Sequence, residues 1–140
     1  MVTFKRILCA FDGSEQATRA FDYAAELARR FDAEVLVLAV ARPPEPPELV
    51  ETAAVLENAR DFYEQQFGVL RERAGEDGLR LRFDVAVGHP AEQIVHRAEV
   101  EGADLIVMGH RGKSFVARWL LGSVSKRVLS YAHCAVLIVR

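Results

Sequence analysis

Apolar residues fall along this chain in two alternating rhythms. Residues 5–11 hold the unbroken run Ile7-Leu8-Cys9-Ala10-Phe11, which predicts a strand covered on both faces. Asp12-Gly13-Ser14 then turns the chain, with Ser14 placed to cap a helix over 15–31. Within that stretch Ala17, Ala20, Phe21, Ala24, Leu27, Ala28 and Phe31 recur at helical spacing. A second, almost wholly apolar strand follows over 34–41. Residues 42–48 hold Pro43, Pro44, Pro46 and Pro47, which break both rhythms and predict a stiff surface connector.

The alternation then repeats. A long helix is predicted over 49–76, ending near Gly78. Over 80–87, Leu81, Phe83 and Val85 alternate with Arg80, Arg82 and Asp84, so this strand has a wet face or an edge position. Gly88-His89-Pro90 leads into a helix over 91–101. The last elements are a strand over 105–108, a loop over 109–122, a helix over 123–132 and a strand over 134–139. Five strands alternating with four helices predict one α/β domain over 1–140, a doubly wound, Rossmann-like parallel sheet with helices on both faces. Ligands of such sheets bind beyond the strand C-termini, where the strand order reverses.

Composition narrows the function. Of 140 residues 51% are hydrophobic, enough for a packed core, and the net charge of -2 gives no sign of a nucleic-acid partner. The charge is unevenly spread. All 20 acidic residues precede Leu105, whereas Arg111, Lys113, Arg118, Lys126, Arg127 and Arg140 follow it. An anionic ligand is therefore expected near the C-terminal third. Cys9 and Cys134 each lie in an apolar run and read as buried small hydrophobes, with no disulfide or metal pairing. No signal peptide and no membrane-length apolar stretch stand out, so the cytoplasm is the expected location.

The chemistry concentrates after the fourth strand. Gly109 and Gly112 allow positive φ and close backbone approach to a ligand. Gly122-Ser123 opens a helix whose free N–H groups suit phosphate, with Arg111 and Lys113 nearby. Gly112-Lys113-Ser114 mimics the end of a Walker A loop, but the glycine required five positions earlier is Val107. No G-x-G-x-x-G occurs. What does occur is Gly109-x-x-Gly112, nine residues, then Gly122-Ser123.

That spacing resembles the ATP-binding motif of the universal stress protein family. The likeness extends to Ile7 through Ser14, to Gly88-His89-Pro90-Ala91, to Ala103 through Gly109, and to Ala135 through Val139. One departure is His133-Cys134-Ala135, without the proline that often precedes the family's last strand. The resemblance implies strand order 3-2-1-4-5 and a site for ATP, with or without Mg2+. It implies that Ala10 belongs to the nucleotide site, that Asp12 holds the ribose or base end and that backbone near Val40 meets the adenine. Met108, Gly109, Arg111 and Gly112 would line the phosphate path, and Gly122, Ser123, Val124 and Ser125 would close on the phosphates. It also implies a homodimer through the last strand, whose apolar edge invites pairing.

Plainer roles stand beside these. Asp12 or Ser123 could serve as a helix cap. Phe115, Trp119 and Leu120 read as core or dimer packing rather than a stacking platform. His89, His96, His110 and His133 are scattered and build no metal site, and no nucleophile–base pair is apparent. The expected function is a regulatory, stress-response ATP-binding module with at most slow hydrolysis. The alternatives are a nucleotide-dependent ATPase or phosphotransferase, and a nucleotide-free dimeric module.

Overall fold

The computed structural model describes residues 1–46, 49–111 and 121–140. Five strands and four helices alternate: β1 (Arg6–Ala10), α1 (Glu15–Phe31), β2 (Glu34–Ala41), α2 (Leu49–Ala74), β3 (Arg80–Val87), α3 (Pro90–Glu101), β4 (Leu105–Gly109), α4 (Ser123–Tyr131) and β5 (Ala135–Val139). The strands form one sheet in the order β3-β2-β1-β4-β5, and every neighbouring pair is parallel. The sheet is doubly wound, as the alternation predicts.

Its core has two halves because strand residues point alternately to opposite faces. Ile7, Cys9, Val35, Val37, Leu105 and Val107 pack with Ala20, Phe21 and Ala24 of α1 and with Phe67 and Leu70 of α2. Leu8, Ala10, Leu36, Leu38, Ile106 and Met108 pack with Ala91, Ile94 and Ala98 of α3 and with Val128 of α4. Both faces are thus covered, which is why these strands read as continuous apolar runs. β3 lies at one edge, in keeping with its alternation, and β5 lies at the other.

Local chemistry sets the boundaries. Ser14 caps α1, its Oγ accepting from Ala17 N–H at 3.1 Å. α2 ends at Ala74, two residues before the expected end, because Gly75 takes φ +80°. Pro90 itself opens α3, and Gly102 closes that helix in the left-handed region. Cys9 is fully buried and burial pushes its thiol up to about 12. Cys134 is only half-buried, a departure from the expected burial of both, because it precedes an edge strand. Both thiols are free. No described helix is long and apolar enough to cross a membrane.

Candidate functional site

Strands β2 and β4 flank β1 on opposite sides, and their crossovers cover opposite faces of the sheet. This is the point where the strand order reverses. β2 continues past its neighbour: Ala10, the last residue of β1, pairs with Leu38, and β2 runs on to Ala41. Above the end of β1 lies a cavity of about 540 Å3. Ala10, Leu38 and Met108 line it from the strands, and Pro90 and Ile94 from α3. Tyr63 of α2 and Ala17 of α1 line it from the other face.

The polar groups sort by element. At the exit of β1, Asp12 Oδ1 accepts from Ser14 N–H at 2.9 Å. Asp12 thus braces the turn while Ser14 caps the helix, and the capping role weighed for Asp12 belongs to Ser14. Asp12 is the only carboxylate among the described lining residues. Also at the cavity, α4 begins after Gly122 with no side chain capping it, so its first-turn amides point outward from the helix start. Arg111, Ser123 and Lys126 line the cavity around that helix start. Arg42, just beyond β2, also lines it and has no ion-pair or hydrogen-bond partner among the described residues.

Of the residues expected at the site, Ala10, Asp12, Val40, Met108, Gly109, Arg111, Gly122, Ser123, Val124 and Ser125 all line this one cavity. Gly112 lies outside the described residues, as do Lys113, Phe115, Trp119 and Leu120. Two expectations change in their reasons. Gly109 does not use positive φ. A Cβ there would instead meet Gln16 Cβ at 2.8 Å and the Gln16 carbonyl carbon at 3.1 Å, so the glycine lets β4 abut α1. At Gly122 a Cβ would meet Arg111 Cα and the His110 carbonyl oxygen, both at 3.3 Å. Its first crowding is therefore with the protein's own backbone.

Ser125 is 2% exposed, and its hydroxyl donates to the Gly109 carbonyl at 2.9 Å. Gly122 N–H donates to the His110 carbonyl, and His110 N–H donates to Val139 at the end of β5. The β4 exit is thereby tied to both α4 and β5. His110 is buried but does not line the cavity. Burial, then the charges of Arg140 and Arg111, hold its pKa below the ordinary histidine value.

Sequence reasoning did not assign Tyr63, Arg42 or Lys126 to the site, although Arg42 follows directly on the β2 C-terminus, where such sheets bind ligands. Lys126 carried a signal, as part of the acid-free C-terminal stretch. Tyr63 carried none, since it continues the core-facing series of α2 with Phe67, Leu70 and Ala74. Burial, then the charge of Asp12, raises the phenol pKa.

A family model described as the universal stress protein family matches residues 3–140. A universal stress protein of Methanocaldococcus jannaschii is 35% identical over 140 residues, spanning 98% of this chain and 82% of that protein. The structure of UspA from Lactobacillus plantarum superposes with a TM-score of 0.87 at 25% identity, with 100% of each chain covered. A universal stress protein in complex with cAMP superposes with a TM-score of 0.69 at 29% identity, covering 99% of this chain and 98% of that one. Matched along nearly its whole length by the family model and by these relatives, the chain belongs to the universal stress protein family.

Proposed function

We propose that the chain is a regulatory, stress-response module that binds an adenine nucleotide, ATP, in the cavity above β1 and β4. The observation that carries this reading is the pairing, in one cavity, of a carboxylate with cations and an uncapped helix start. A single carboxylate, Asp12, stands at the β1 exit, and an uncapped helix start with Arg111 and Lys126 stands at α4. A carboxylate accepts from ribose hydroxyls or a base amino group, while helix amides and cations accept a polyphosphate. The related structure in complex with cAMP supports the adenine class.

Among the described residues no group of three His, Cys, Asp or Glu side chains could hold a metal ion. A Mg2+ accompanying ATP would therefore be carried on phosphate oxygens. The single lining carboxylate, already bonded to Ser14 N–H, supports binding with at most slow hydrolysis. A homodimer through β5 completes the proposal, supported by that strand's apolar, partly exposed edge. Two free cysteines accord with work in the cytoplasm.

Isothermal titration with ATP, together with mass spectrometry of nucleotide released on denaturation, tests the reading. Saturable one-site binding and co-purified ATP are expected. A folded protein that takes up no adenine nucleotide overturns it.

A further inference from the structure

The strands give the cavity two unlike flanks, because β2 and β4 stand on opposite sides of β1. On the β2 flank the lining is apolar: Leu38 and Val40 come from the strand, and Pro90 and Ile94 from α3, which packs on it. The β4 flank carries the start of α4, since Gly122 N–H donates to the His110 carbonyl just beyond that strand. Ser123, Lys126 and Arg111 gather there. An adenine nucleotide divides in the same way, into a flat, largely apolar base and anionic phosphates. The base suits the β2 flank and the phosphates suit α4.

Arg42 does not follow this division. Leu36, Leu38 and Val40 share the face that α3 covers, and alternation carries that face on to position 42, one residue beyond β2. Arg42 lines the cavity from there, across β1 from Arg111 and Lys126. Its side chain is exposed, and no acid holds it among the described residues. Asp12 accepts from Ser14 N–H, and Glu45 faces His89 at 3.9 Å. A guanidinium is planar and weakly hydrated, so it stacks on aromatic faces, whereas an ammonium is a compact, strongly hydrated point charge. A cation on an apolar flank suits a flat π-system better than a phosphate bound elsewhere.

Resting on the adenine-nucleotide reading above, we propose that Arg42 recognises the base of the bound nucleotide by stacking its guanidinium on the purine. Its contribution to affinity is then the same whatever the number of phosphates.

The test is isothermal titration of wild type, Arg42→Ala and Arg42→Lys with AMP and with ATP, with thermal melts to confirm equal folding. Salt is held at about 0.15 M, where charges more than about 8 Å apart are largely screened. Arg42→Ala should lose about 5-fold in affinity, the scale of one cation–π contact, and the losses for AMP and ATP should agree within about 2-fold. Arg42→Lys should restore little of it. A loss several-fold larger for ATP than for AMP, or full restoration by Arg42→Lys, would make Arg42 a phosphate cation and overturn the base-stacking role. No loss for either ligand, or a wild type that binds ATP but not AMP, overturns it as well and leaves nucleotide binding standing. A wild-type protein that binds neither nucleotide overturns the underlying reading and this inference with it.

Discussion

Gly109 closes β4 against the first turn of α1, where a methyl group would sit 2.8 Å from Gln16 Cβ and 3.1 Å from backbone. Backbone cannot step aside as a flexible side chain can. Gly109→Ala should therefore cost about 1–3 kcal/mol of stability, read from urea denaturation, and an unchanged midpoint would contradict the packing role. Gly122→Ala should cost less, since its 3.3 Å contacts require a smaller shift. Asp12 calls for a different substitution. Asp12→Asn keeps an oxygen for Ser14 N–H and removes the charge, so the melting temperature should hold while ATP affinity falls. Paired melts and titrations decide this: a large stability loss with unchanged affinity would make Asp12 purely a turn residue. The glycine spacing located both glycines in the sequence, but not what crowds them. Gln16 and Gly109 are far apart along the chain, and no local pattern announces that they meet. Tyr63 was hidden for the same reason, because one residue of a core-facing series looks like the next.

Among the elements, the edge strand β3 is fastened to α3 by charge. Glu101 accepts from Arg82 at 2.5 Å and from Arg97 at 3.4 Å, and Arg97 also pairs with Asp84. The hydrogen bond from Arg82, with Arg97 assisting, holds the Glu101 pKa below its ordinary 4.5. A depressed carboxylate pKa stabilises the fold above the unfolded value, and that stability is lost as pH falls through the folded value. Glu101→Gln should therefore destabilise the fold at pH 7, by less than about 1 kcal/mol for a partly exposed network, read as a lower melting temperature. The gap from wild type should narrow as pH falls below 4.5 and close as it passes through the depressed folded value. A gap that is the same at pH 3 and pH 7 would show that the charge contributes nothing. The elements themselves were legible wherever a strand is buried on both faces or a helix has a capping residue. The expected ranges of α1, β2 and β3 match the observed ones. β1 ends at Ala10 rather than Phe11, although Phe11 N–H still donates to Leu38. The loop over 109–122 offers no apolar periodicity to read.

For the molecule as a whole, β5 is the sheet edge to which a second chain can add. Among the described residues only β4 pairs with it, and its residues run from exposed Ala135 through partly buried Val136, Leu137 and Ile138 to buried Val139. Two such edges satisfy one another about a two-fold axis. Sedimentation should show a dimer at micromolar concentration, and Ala135→Lys should shift it toward monomer while leaving ATP binding intact. A wild-type chain that remains monomeric at high micromolar concentration rules the dimer out. Val139→Lys is the wrong instrument, since it would place a charge in the core. The tight seat of Gly109 against α1 has a consequence for descent. Selection for a folded chain keeps that glycine whether or not a ligand is bound. A lineage that gave up its nucleotide would lose Asp12 or the cations around α4 first and go on carrying Gly109, its motif half preserved by packing alone.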